Sequence, residues 1–415
     1  MILILKKGLL FILSPMFYFA QVAEVNPPDF IKSITFKGST NESQLPIIRL
    51  GEPLILEFDA LNGYEEDYYY VIEHFNFDWT QTQLVKSEYL RGFDDQLVRN
   101  YQNSFNTYEL YSHYNLTVPN EQTKGLLKSG NYMVYIYKDN TLMFSRKFMV
   151  YEDLVNVGVS IKRSRDVKVI DEKQTVDFII YTNSVNFNNP METIKTLVIQ
   201  NNNLNTAISN LKPQYVLGNQ LVYKYTTESA FWGGNEYLYF DNKDVRAANV
   251  GVQYIDLQEI YHNYLFTNFE RASKPYTYNP DINGNFLINA LSVDDVSIEA
   301  DYTWIHFSLQ YPELTDGSNI YVYGNYNNYA LDESNQMAYN PRSGNYELKI
   351  KLKQGFYNYK YVVVDAKGNL NEGAISGNFY QTENNYKVLV YYRDLGARFD
   401  RLIGMGVASS VNISN

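Results

Sequence analysis

The chain has 415 residues, with 35 lysines and arginines against 46 aspartates and glutamates, a formal charge of −11, and no cysteine. The missing cysteines exclude disulfides, thiolate zinc sites and a lipidated cysteine at a mature N-terminus. The acidic balance makes nucleic acid and anionic lipid poor partners, since both are held by clustered Lys and Arg. The length suggests roughly three domains, each able to bury a core without staples.

In chain order, Lys6 and Lys7 precede the apolar run Gly8 to Phe19, which ends in Phe19-Ala20-Gln21. This is the pattern of a secretory signal peptide over residues 1–20, cut after Ala20 or Ala23. The run is too short for a bilayer of roughly 30 Å, and no later segment is long and apolar enough either, so no transmembrane insertion is expected. Short apolar or alternating runs bounded by Gly, Asn, Asp and Pro then recur, and helical periods are scarce, which predicts a mainly β protein. In a first β-sandwich domain, residues 21–151, strands are expected at Leu54 to Phe58 and Tyr68 to Phe77. A hairpin of Tyr132 to Tyr137 with Leu142 to Val150 turns at Asp139-Asn140. Read as one straight strand, Tyr70 to Trp79 puts Val71, Phe75, Phe77 and Trp79 on a core face and His74 and Asp78 on the other.

A second sandwich, residues 152–272, is expected to use Val155 to Lys162, Thr175 to Tyr181, Thr196 to Gln200 and Leu221 to Thr226, extended by Ala247 to Asp256 and Asn263 to Phe269. Residues 273–295, with Lys274-Pro275, Asn279-Pro280 and Asn283-Gly284-Asn285, read as an irregular linker. A third unit, residues 296–395, takes Trp304 to Gln310, Ile320 to Tyr323, Tyr346 to Leu352, Tyr357 to Val364 and Tyr386 to Tyr392, leaving a C-terminal tail at 396–415. Its words Tyr321-Val322-Tyr323-Gly324-Asn325-Tyr326, Gly344-Asn345-Tyr346-Glu347 and Gly355-Phe356-Tyr357-Asn358-Tyr359 resemble the early-set immunoglobulin-like modules related to glycogen-binding domains. The fold class expected is therefore three immunoglobulin-like or early-set β-sandwich domains in tandem. Forty tyrosines against 23 phenylalanines point to strands with one damp face or to a protein interface, because tyrosine suits places where the ring is covered and the hydroxyl stays wet.

Catalytic patterns are missing. Histidines 74, 113, 262 and 306 share no ligand spacing, and the chain has no H-E-x-x-H, no G-x-S-x-G elbow and no P-loop. Asp281-Ile282-Asn283-Gly284-Asn285 opens like a calcium loop, but Ser292 stands where a bidentate Glu is needed, so it reads as a turn. No metal, no cofactor and no catalytic residue is assigned. Trp232-Gly233-Gly234-Asn235-Glu236 sets a large aromatic before two flexible glycines, which suits a projecting anchor as well as a ring tucked into a core. Arg398-Phe399-Asp400-Arg401 suits an ion pair or a partner contact.

The ordered set His74-Phe75-Asn76-Phe77-Asp78-Trp79, Glu88-Tyr89-Leu90-Arg91-Gly92-Phe93, Ser104-Phe105-Asn106-Thr107, Tyr111-Ser112-His113-Tyr114, Ser129-Gly130-Asn131-Tyr132, Gly233-Gly234-Asn235-Glu236 and Gly396 to Gly404 resembles the type IX secretion system plug protein family. It departs from the family pattern at Phe75, where a cysteine is usual. The resemblance implies a non-enzymatic periplasmic protein, peripheral at the inner face of the outer membrane. It would dock as one copy under a very large outer-membrane barrel of the SprA type and block its periplasmic opening. The partner-binding candidates are Trp232, Asn235, Glu236, His74, Trp79, Tyr89, Arg398 and Arg401. The alternative is an exported glycan-binding accessory protein, which would need an exposed aromatic platform; the third unit offers only Trp304, Tyr326 and Tyr329.

Overall fold

A computed structural model describes residues 22–38, 44–182, 187–411 and 413; the leader expected at 1–20 lies outside them. Three two-sheet sandwiches make up the body. In the first, Ile31–Lys37, Leu54–Ala60, Ser112–Val118 and Asn100–Asn103 form one sheet. The facing sheet orders Ile47–Arg49, Thr141–Tyr151, Gly130–Lys138, Tyr68–Phe75 and Gln96–Leu97. Ser112–Val118 shows the alternation that builds such a layer: Tyr114, Leu116 and Val118 are buried between half-buried polar residues, because successive side chains leave a strand on opposite faces. The hairpin turns at Asp139 and Asn140, both with positive φ (49° and 64°), the conformation that matches the twist of the flanking strands.

The strand opening at Tyr68 ends at Phe75, two residues short of expectation. Asn76 to Trp79 form a turn closed by Asn76 N–H donating to the Thr80 carbonyl, and Trp79 itself has φ 61°. The inward face carries Tyr68, Tyr70, Ile72 and His74, and Phe75 points the other way into a separate apolar cluster. The expected core residues Phe75, Phe77 and Trp79 do pack in a core, the one shared with the second domain, and the opposite face with His74, expected outside, is buried as well. A histidine is tolerated inside because Nδ1 meets Thr82 Oγ1 at 3.0 Å and Nε2 meets the Ser129 carbonyl at 3.1 Å, and a buried polar group with both partners made costs little.

The second sandwich pairs a sheet of Asn156–Arg163, Lys173–Tyr181, Gln220–Tyr223 and Tyr215–Leu217, with Ala230–Trp232 added on Lys173–Tyr181. Its other sheet runs Asn203–Ser209, Ile194–Gln200, Asn385–Tyr392 and Arg401–Ser409. The strand around Tyr386 and the supposed tail therefore belong to this domain, not to the third unit: Ile194 to Gln200 pair with Tyr392 to Tyr386 along seven positions. Val252–Leu257 and Tyr261–Leu265, expected to extend the second domain, instead pair with the third through Tyr302–Gln310. Phe286–Ile288, inside the expected linker, pairs with Gly355–Val364. The third sandwich is thus built from residues between Leu238 and Asn371, in the middle of the second domain's chain. Among the described residues no helix is long and apolar enough to cross a membrane.

Each sandwich touches the other two. First and second meet through Phe75, Trp79, Met133 and Met149 against Leu197, Leu389, Tyr391 and Leu402. First and third meet at Asp59, whose carboxylate accepts from Lys353 Nζ at 2.6 Å, His113 Nδ1 at 2.7 Å and the Tyr302 hydroxyl at 2.7 Å. Second and third meet where Asn203 and Asn205 donate to the Tyr323 hydroxyl. The segment after residue 22 ties the first domain to the third: Glu24 accepts from Lys147 N–H and from Asn328 Nδ2, and Asn26 donates to Asp332.

Candidate functional site

The turn after Phe75 and the segment Gly396 to Gly404, over three hundred residues apart in sequence, converge at the junction of the first and second domains. Asp400 is fully buried there. Its carboxylate accepts from Arg393 Nε and Nη2 at 2.9 and 2.8 Å, from Lys195 Nζ at 3.2 Å and from Phe77 N–H at 3.0 Å. Bidentate arginine and a backbone donor are what make a buried carboxylate tolerable. Arg393 also donates to Asn76 Oδ1 at 2.6 Å, and Asn131 links the Asn76 carbonyl to the Tyr391 hydroxyl. Phe399 meets His74 edge-on at 5.4 Å, and Tyr89 stacks with the same ring at 5.5 Å. Burial pushes the His74 pKa down to about 4, so the ring sits neutral between its aromatic neighbours. Phe75, where the family resemblance leads to a cysteine, fills the apolar part of this junction.

Five expected partner contacts are therefore engaged within the chain. His74, Trp79 and Tyr89 are buried, and Lys147 Nζ covers the Trp79 ring at 4.4 Å. Arg398 pairs with Glu88, and Arg401 Nε meets Glu152 at 3.2 Å. Sequence reasoning did not single out Lys195, Asn131, Arg393 or Asp400, although Asn131 and Asp400 sit inside quoted words; an aspartate flanked by Phe399 and by Arg398 and Arg401 was the available signal.

Trp232, Asn235 and Glu236 lie together at the junction of the second and third domains. Trp232 is 48% exposed, and its cross-strand partner Lys173 places Nζ 4.2 Å over one face of the indole. Gly233 is required by close packing, since a Cβ there would fall 2.1 Å from the Phe379 carbonyl oxygen. Asn235 is buried, donating to the Ser376 carbonyl at 2.7 Å and accepting from Glu236 N–H at 2.9 Å. Glu236 accepts from the Tyr276 hydroxyl and Glu383 N–H, and its second oxygen has no partner among the described residues. Burial raises its pKa. Burial likewise lifts Asp281 to about 7, with the charges of Glu236 and Glu383 adding to the effect; its oxygens accept from Tyr237 N–H and Asn283 N–H, the turn expected from the sequence. A cleft of about 710 Å³ opens beside Trp232. Among the described residues no cluster of three or more His, Asp or Glu is arranged to hold a metal ion.

Residues 31–152, the first sandwich, match the family described as Type 9 secretion system plug protein 1st domain. A crystal structure at 2.30 Å resolution of a hypothetical protein from Parabacteroides merdae ATCC 43184 is 33% identical, with a TM-score of 0.89 over 94% of this chain and 100% of that one. No curated protein matches.

Proposed function

The chain belongs to the type IX secretion system plug protein family, and from that premise we propose that it closes the periplasmic opening of a very large outer-membrane translocon barrel by steric docking. Membership of the family gives it a role in type IX secretion and a place in the cell envelope. The observation that carries the closure reading is the three-way bracing: every sandwich is tied to both others by buried polar contacts. A stopper must resist deformation, and three mutually braced sandwiches have no hinge that opens without breaking one of those contacts. Closure requires no chemistry, only a wide stiff body and reversible contact, so the protein acts without catalysis, as a single copy at the inner face of the outer membrane. Trp232 is the proposed docking anchor, with Asn235 and Glu236 fixing its loop. His74, Trp79, Tyr89, Arg398 and Arg401 serve docking by holding the first and second domains in register.

Affinity capture of the tagged mature protein from detergent-solubilised envelopes tests this directly. A giant outer-membrane barrel is expected as the dominant stoichiometric partner; its absence, under conditions where other envelope complexes survive, overturns the reading. Deleting the chain in a strain with an assembled translocon should also make the outer membrane leaky to large antibiotics.

A further inference from the structure

The cleft beside Trp232 runs between two outer strands, the first of which has Asn205 N–H closed onto Asn203 Oδ1 and is open from Thr206 on. Asn203–Ser209 is the outer strand of its sheet, paired among the described residues only with Ile194–Gln200; Asn203, Asn205, Thr206 and Ile208 line the cleft. Leu370–Asn371, on the third domain, lines the cleft too and among the described residues pairs only with Gly355–Val364. An outer strand leaves a row of N–H and C=O groups without ladder partners, a template for another extended chain. The volume, about 710 Å³, falls in the range of formed ligand sites. Charge in the walls balances, Lys173 and Lys360 against Asp365 and Glu372, and Lys360 is already paired with Glu372. The cleft therefore selects for an uncharged, hydrogen-bonding ligand. A polar atom inside it, Asn378 Oδ1, is buried with no hydrogen-bond partner among the described residues.

We infer that this cleft takes an extended segment of polypeptide, added as a strand along Asn203–Ser209, with Trp232 receiving one of its side chains. Main-chain pairing supplies affinity in such a mode and a pocket for alternate side chains supplies selectivity. Trp232 suits the selective role, because Lys173 closes one face of the indole and holds it in place, and the remaining exposed surface borders the cleft. An oligosaccharide also fits amide-lined walls, but it has no use for two unpaired strand edges. The inference deepens the docking reading at Trp232, on which it rests for the anchor, by naming what the cleft takes; the peptide titrations need no barrel, so their failure and the failure of barrel capture are told apart.

The test uses the whole mature chain. Peptides selected from a random displayed library are titrated calorimetrically against wild type, Trp232→Ala and Thr206→Arg. The first variant removes a half-exposed ring and the second adds bulk from a surface strand, so both cores stay intact. Each variant is expected to weaken binding at least about tenfold. Methylating alternate backbone nitrogens of the peptide should abolish binding, and bound peptide should slow amide exchange in residues 203–209. Peptides that bind all three proteins alike, that tolerate backbone methylation in both registers, or that fail to bind below about 1 mM overturn the inference. So does maltohexaose or chitohexaose binding at the cleft where peptides do not.

Discussion

Lys353→Met tests the bracing at its most buried point. Asp59 on the first domain and Lys353 on the third are 1% and 2% exposed, 2.6 Å apart. Lys353 also donates to the Ser297 carbonyl and lies 4.1 Å over the Tyr111 ring. Burial by itself would raise the Asp59 pKa, but the attraction of Lys353 and the His113 bond together bring it below the ordinary carboxylate range. Methionine fills the same space without the charge, leaving Asp59 held only by His113 and Tyr302. Removing one partner of such a buried pair costs about 3–5 kcal/mol, whereas replacing both by neutral groups is close to neutral. Asp59→Asn with Lys353→Met should therefore recover at least about 2 kcal/mol of the single variant's loss. Urea unfolding gives the stabilities. Amide exchange at 105–113 and 296–301 shows whether the loosening sits at the boundary between the two domains. A Lys353→Met protein within about 1 kcal/mol of wild type, or a double variant whose losses simply add, would refute the claim that this pair locks the two domains. Because the folded carboxyl is depressed, the pair's contribution should be complete above about pH 4 and be lost as pH falls through the lower folded value.

Three further outcomes follow from the same geometry. His74 is held neutral with its pKa near 4, so the unfolded chain takes up its proton first as pH falls; stability should drop by on the order of 2 kcal/mol between pH 7 and about pH 5, and His74→Gln should flatten that slope in paired urea titrations. Arg393→Ala leaves fully buried Asp400 with Lys195 as its one cationic partner and should cost about 3 kcal/mol, with new proteolytic cuts near residues 76–80, whereas Arg401→Ala, part of a half-exposed pair, should cost less than about 1 kcal/mol. Gly233→Ala drives a Cβ into the Phe379 carbonyl and should destabilise by on the order of 2 kcal/mol, while Trp232→Ala, half exposed, should stay within about 1 kcal/mol in the same assay.

What the sequence made legible is what its local period encodes. The alternation of Ser112–Val118 and the Asp139-Asn140 turn are written in adjacent residues. The partner of Asn385–Tyr392 is not: Ile194–Gln200 lies nearly two hundred positions upstream, and a strand's own residues specify a face but not a neighbour. For the same reason the period-two pattern of Tyr68–Phe75 separated two sets of side chains correctly and could not say that a neighbouring domain would bury the second face too. Trp232 was legible as a candidate anchor ahead of two glycines, with exposure and burial both open, whereas the cleft beside it was not, because several of its wall residues are asparagines that read locally as turn residues.

The tyrosine excess, taken from composition as a sign of wet faces, has a different cause. Twelve of the largest fully buried side chains are tyrosines. Several of them sit at domain boundaries with the hydroxyl reaching across: Tyr111 to the Ala300 carbonyl, Tyr302 to Ser33 and Asp59, Tyr391 to Asn131 and Tyr323 to Asn203. Tyr329, nearly as buried, reaches the Asn201 carbonyl in the same way. A phenylalanine would bury as much ring but take the tyrosine donor from the Ala300 and Asn201 carbonyls and Asn131 Oδ1, one of three donors from Asp59, and the hydroxyl acceptor from Asn203 Nδ2, a cost of roughly 1–3 kcal/mol for each group stranded. Tyrosine joins two sandwiches through one residue, with apolar area on its own side and a directed bond on the other. A chain without cysteine that must keep three domains in one fixed arrangement gains that rigidity from many such pins, and loosening them one boundary at a time, by Tyr391→Phe or Tyr302→Phe, should increase exchange at that boundary while leaving the other two unchanged.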